Sequence, residues 1–184
     1  MPKIVLKLKY KTLRGLKLVW NFYNDIPPLR IVASPLDKNW PDRVKEEISV
    51  FNLWRKFNPK FPFSKLRIHD NPRRFIIDAN LHELFMKGNK DLWQSISILI
   101  PLRYPFQMPI LGDPARDKAF IKLLRGWTDN RPFCMPQVFH IWWNRLSGGA
   151  GIAHFLHAYL VFLSIAGKKA VKREYIYSLD FFKI

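Results

Sequence analysis

Cysteine is almost absent from this chain: Cys134 is the only one in 184 residues. A lone thiol closes no disulfide within the chain and builds no Cys-rich metal site. Five scattered histidines beside it fit no zinc template, so neither a metal nor another cofactor is expected. Acidic residues are also scarce, 14 against 31 lysines and arginines, which gives a net charge of +17 and a pI near 10.2. Long apolar runs are missing. The most apolar segment, Gly151 to Gly167, carries His154 and His157 and falls short of the ~20 residues a membrane span needs. The start, Met1 to Tyr10, lacks the continuous apolar stretch of a secretory signal. One thiol and no export signal are what a reducing cytoplasm leads one to expect. Neither a Ser/Gly linker, an internal repeat nor a low-complexity tract divides the chain, and its 48% hydrophobic content is enough to bury one full core.

What is present has an α+β order. Residues 3–10 alternate, with Ile4, Leu6 and Leu8 opposite Lys7 and Lys9, the period of a strand. From Pro41 the apolar positions Val44, Ile48, Phe51 and Trp54 recur at helical spacing, and Pro59 ends the run, predicting a helix over 41–58. Arg73 to Leu81 and Leu92 to Ile100 read as strands. The polar, turn-prone Gly88, Asn89 and Lys90 lie between them. Residues 101–150 read as irregular and proline-marked. Beyond them Ile152, Phe155, Leu156, Tyr159, Leu160, Phe162, Leu163 and Ile165 make a run apolar nearly all round, as a central helix would be.

Cys134 sits between two prolines in Arg131-Pro132-Phe133-Cys134-Met135-Pro136. Two readings are open for it: an inert small hydrophobe and a nucleophile. Reading forward without gaps, Cys134, Phe139, Trp143, Arg145, Gly151, Ala153 and His154 give Cys-x4-Phe-x3-Trp-x-Arg-x5-Gly-x-Ala-His. That pattern resembles the active-site stretch of the ubiquitin-fold modifier conjugating enzymes, a divergent branch of the ubiquitin-conjugating carrier enzymes. Upstream, Ile26-Pro27-x-Leu29, Ala33-x-Pro35-x-Asp37 and Trp40-x-x-Arg43-x-Lys45-Glu46-Glu47 look like that family's entry into its first helix. Ile100-Pro101-x-x-Tyr104-Pro105-x-x-x-Pro109 is similar to the strand and proline turn shared by ubiquitin-conjugating folds. The resemblance covers roughly residues 26 to 166 in collinear order. It implies a ubiquitin-conjugating-enzyme-like fold: an N-terminal helix, an antiparallel β-meander, a long active-site loop and a buried central helix. Residues 1–25 would then be a basic N-terminal extension and 26–184 the catalytic domain.

The resemblance implies a cytoplasmic transferase that accepts a ubiquitin-like modifier from an activating enzyme as a thioester on Cys134, then passes it to a substrate lysine with or without a ligase. Only a thiolate attacks a thioester, and an unperturbed thiol is mostly protonated at neutral pH. Arg131, Lys122 and Arg125 are the cations close to it in sequence. The His-Pro-Asn triplet that precedes the cysteine in mainstream ubiquitin-conjugating enzymes is missing. The modifier-conjugating branch has Thr-Ala-Lys there, and matching its following Arg-Gly to Arg125-Gly126 places Phe120, Ile121 and Lys122 at the triplet. Lys122 alone is kept, and about four extra residues lie between Trp127 and Phe133. Support for the active-site loop or the oxyanion is one reading of Lys122; a solvated lysine is the other. Trp143 and Phe139 are expected to pack beneath the loop, and Arg145 to tie it to the body through a carboxylate. His154 reads as a hydrogen-bonded structural histidine rather than a base. His140 lies six residues after Cys134, close enough in sequence to stand beside it, but the family has no histidine at that position.

The charge suggests other functions as well. Residues 1–20 hold six basic side chains, Lys3, Lys7, Lys9, Lys11, Arg14 and Lys17, and no acid. Such a balance favours an acidic partner or a polyanion, so contact with RNA or a ribosome through the basic surface is a second expectation, with a simple solvated surface as its plain counterpart. An inactive ubiquitin-conjugating fold serving as a scaffold is a third.

Overall fold

Pro41 in its first turn, Asp42 just behind it, and Arg55 and Lys56 in its last turn mark α1 (Trp40–Phe57), where each charge complements the nearer end of the helix dipole. The computed structural model describes residues 26–58, 61–85, 92–127, 140 and 143–166. Within them the chain continues through β1 (Phe63–Ile68), β2 (Arg74–Asn80), the short α2 (Leu81–Phe85), β3 (Trp93–Leu99), β4 (Ile110–Leu111), α3 (Lys118–Trp127) and α4 (Ile152–Ala166). The strands form one antiparallel sheet in the order β1-β2-β3-β4. The protein is therefore a mixed α+β fold built on an antiparallel meander. The strand expected over residues 3–10 and the turn at 88–90 lie outside the described residues.

Alternation decides which face of the sheet is dry. Phe75 pairs with Ile98, Ile77 with Ile96 and Phe63 with Ala79, and all six are buried. On the opposite face Arg67, Asp78 and Ser95 form a cross-strand cluster: Arg67 donates to Asp78 at 2.8 and 3.2 Å, and the Ser95 hydroxyl donates to it at 2.6 Å. α1 packs against β1 and α4. α4 is buried from Ile152 to Tyr159 without a break, as its apolar sequence leads one to expect. Among the described residues no helix is long and apolar enough to cross a membrane.

Four elements depart from what the sequence predicts. β1 escapes a period-two search because its register shifts between Ser64 and Arg67, where Lys65 takes a left-handed φ of 52°. The buried residues Phe63 and Leu66 consequently stand three apart rather than two. α2 follows Asn80, whose side-chain Oδ1 accepts the Glu83 N–H at 3.1 Å as a helix cap. Residues 101–150 are not irregular throughout: they contain β4 and the ten-residue α3. Asp117 holds the start of α3 to the sheet, since its Oδ2 accepts the N–H groups of Ser97 (2.9 Å) and Asp113 (2.7 Å). Phe120 and Leu124, one turn apart, then turn into the core, where the Phe120 ring meets Phe85 at 5.8 Å.

Candidate functional site

α1 buries Trp40, Arg43, Val44, Glu47, Phe51 and Trp54 on one face, so two opposite charges one turn apart lie among the apolar residues. Neither is exposed: Arg43 retains 0% and Glu47 1% of its surface. Burying charges is costly unless their polar atoms are matched. Here every guanidinium donor is, and both carboxylate oxygens accept hydrogen bonds. A guanidinium has five N–H groups. Those of Arg43 reach Glu47 Oε1 (2.8 Å), the Gly148 carbonyl (3.0 Å), the Tyr104 hydroxyl (3.3 Å) and the carbonyls of Ile31 and Ala150. Glu47 accepts the Tyr104 hydroxyl on Oε1 and the Ile152 N–H, at 2.7 Å, on Oε2. The carboxylate thus stands at the N-terminus of α4, where the helix dipole favours an anion.

Titration follows from this setting. Burial pushes the Glu47 carboxyl above its ordinary value, against the opposing pull of Arg43, Tyr104 and the Ile152 N–H. Burial and the neighbouring Glu47 hold the Tyr104 phenol well above its usual range, so it remains a hydroxyl donor. The ion pair is the arrangement consistent with all the donors aimed at Glu47.

Loops converge on this pair. Glu46, beside it, accepts the N–H groups of Arg30 (2.8 Å) and Ile31 (3.0 Å), and the Leu29 N–H donates to the Gly149 carbonyl at 2.8 Å. The Tyr104–Pro105 peptide is cis, and the Trp143 indole N–H donates to the Pro105 carbonyl. The Tyr104 ring lies between Trp40 (5.9 Å) and Trp143 (6.2 Å). Gly151 is a close approach: a Cβ there would stand 2.5 Å from Glu47 Oε2 and 2.5 Å from Leu29 Cδ1. Beside Tyr104 an open groove of about 400 Å³ is lined by Val32, Asp37, Arg103 and Phe106 among others.

Of the residues singled out from the sequence, Cys134, Phe139 and Arg131 lie outside the described residues. Lys122 stands exposed on α3, with Lys118 and Arg125 on the same side. Trp143 and Ala153 are buried, as expected of packing residues. His154 is the structural histidine anticipated: it is 1% exposed and its Nδ1 accepts the Gly151 N–H at 3.2 Å. Burial lowers its pKa to about 4, against a hydrogen bond with the Ile26 backbone that raises it; Arg43 and His157 lower it further. Arg145 is exposed, and the loop it was expected to tie to the body lies outside the described residues. His140 is exposed. Arg43, Glu47 and Tyr104 stand in the motif blocks, but the sequence alone assigns them no task. Their signal was the opposite-charge pair sharing a stripe with Val44 and Phe51.

Arg43, Glu47 and Tyr104 form a buried polar clamp that exposes no acid or base of its own. It fixes the turn 101–109 and the chain from Trp143 to Ile152, on the C-terminal side of the segment that carries Cys134. No protein-family model matches this chain, and no curated protein matches it either.

Proposed function

We propose that the protein is a carrier enzyme for a ubiquitin-like modifier, built on a ubiquitin-conjugating fold of the ubiquitin-fold modifier type, with Cys134 as its nucleophile. One observation carries the reading. The three blocks of sequence resemblance, widely separated in the chain, meet in a single buried cluster: Arg43 and Glu47 from the first, Tyr104 and Pro105 from the second, and Trp143, Gly151 and His154 from the third. Residues matched only by spacing in a motif have no need to touch; residues matched because they frame one site do.

In this reading the Cys134 thiolate attacks the glycyl carbonyl of the modifier's thioester on the activating enzyme, and that enzyme's thiolate leaves. A lysine amine then attacks the new thioester, Cys134 departs as thiolate, and the amine loses a proton as the amide forms. Lys122, on the helix that leads into the Cys134 segment, supplies positive charge toward the oxyanion. The clamp contributes by holding the turn 101–109 and residues 143–152 in one geometry.

The test is direct. Mixed with an activating enzyme, its modifier and ATP, the protein should form an adduct that thiol reductant removes. Cys134→Ala should form none, and Cys134→Ser should form an ester that survives thiol. An adduct that persists in Cys134→Ala, or none with the unaltered protein, overturns the proposal.

A further inference from the structure

Phe120 and Leu124 fix the inward side of α3, so at 100° per residue Lys118, Lys122 and Arg125 fall within a narrow stripe on the outward side. All three are exposed, as is Arg116 just before the helix. The stripe holds no acid, because the two nearest carboxylates are turned away from it. Asp117 is buried on the Ser97 and Asp113 N–H groups, and Asp113 pairs with Arg74 at 2.5 Å. Among the described residues Arg116, Lys118 and Lys122 make no ion pair. Positive charge is concentrated here in a chain already at +17.

We infer that this face of α3 binds the phosphate backbone of a nucleic acid. The inference is independent of the conjugating activity proposed above. Lys118 to Arg125 spans about 10 Å along the helix, and cations one turn apart repeat about every 6 Å, a linear array suited to a linear polyanion. A folded protein partner is less suited, since the stripe offers no aromatic or aliphatic anchor of the kind that dominates protein interfaces. An anionic membrane is also less suited. A helix that lies in a bilayer surface inserts apolar side chains beside its basic ones, and here Phe120 and Leu124 are already in the core, at 0% and 3% exposure. Contacts of this kind read no sequence, so binding is expected to be non-specific and salt-dependent.

Salt dependence of binding to a labelled single-stranded RNA, measured with the full chain, tests the inference. Each lost phosphate contact lowers the slope of log affinity against log salt by about 0.7. Arg116→Gln with Lys118→Gln should therefore flatten the slope by about 1.4 and weaken binding roughly tenfold near ~0.1 M salt. Lys38→Gln with Lys56→Gln removes the same charge from exposed positions elsewhere and should change the slope little. Circular dichroism would check that both variants fold. Equal flattening in both variants means that net charge alone binds, and overturns the assignment to α3. So does the absence of RNA binding, or binding confined to phosphatidylserine vesicles.

Discussion

Replacing Gly151 by alanine adds a single methyl group at the most crowded point of the clamp. The new Cβ would lie 2.5 Å from Glu47 Oε2, 2.5 Å from Leu29 Cδ1 and 3.0 Å from Glu47 Oε1. Leu29 can shift by a small rotation, but Glu47 has nowhere to go: Arg43 Nε at 2.8 Å, the Ile152 N–H at 2.7 Å and the Tyr104 hydroxyl all hold it. Moving the carboxylate off Ile152 breaks a hydrogen bond to a charged group, worth about 1.5–3 kcal/mol, and overpacking adds roughly 1–3 kcal/mol. Against this, alanine restricts the unfolded chain and returns about 0.4–1 kcal/mol. The steric cost wins, and Gly151→Ala should destabilise the protein by about 3 kcal/mol. At roughly 2–4 °C per kcal/mol for a chain of this size, the melting temperature should fall about 6–12 °C. Gly126→Ala is the matched control. A Cβ there meets nothing within 4 Å, and the position is exposed near the end of α3, so the same substitution should stabilise by about 0.5–1 kcal/mol. Urea denaturation of the two variants decides. If Gly151→Ala unfolds within about 0.5 kcal/mol of the unaltered protein, the carboxylate is not held as described.

Local pattern carries α1, β2, β3 and α4: α1 shows a dry stripe at helical spacing, β3 alternates, and β2 and α4 are compact apolar runs, that of α4 buried all round. It fails at β1, where the bulge at Lys65 turns a spacing of two into three, and at α3. There the opposition of Phe120 and Leu124 to Lys118, Lys122 and Arg125 was present, but prolines on both sides, Pro114 and Pro132, made the whole stretch read as loop. The clamp was half legible. Arg43 and Glu47 share a helical stripe with Val44 and Phe51, which is a local fact. Two of the carbonyls that satisfy Arg43, at Gly148 and Ala150, come from more than a hundred residues along the chain and become partners only once the fold closes. No spacing rule reaches them.

Two further predictions separate chemistry from scaffold. Lys122→Ala should slow discharge of the charged protein to free lysine by about tenfold to a thousandfold, the scale of one lost oxyanion donor, with melting unchanged. A normal discharge rate would leave Lys122 only its place in the basic stripe. The other concerns His154, whose pKa is lowered from 6.5 in the unfolded chain to about 4 in the fold by burial and by Arg43 and His157. Between those values the unfolded chain takes up a proton that the folded one refuses, so stability rises with pH across the window and is lost as pH falls from about 6.5 toward 4. The loss attributable to this one group reaches about 3 kcal/mol at the acid end. His154→Asn retains a side-chain acceptor for the Gly151 N–H but cannot titrate. Carboxylates titrate in both proteins, so the difference between their stability profiles isolates the imidazole. The variant should lose measurably less stability between pH 6.5 and 4, whatever its stability at neutral pH. Parallel profiles would mean that His154 gains a proton as easily folded as unfolded, and that the helix around it opens to solvent.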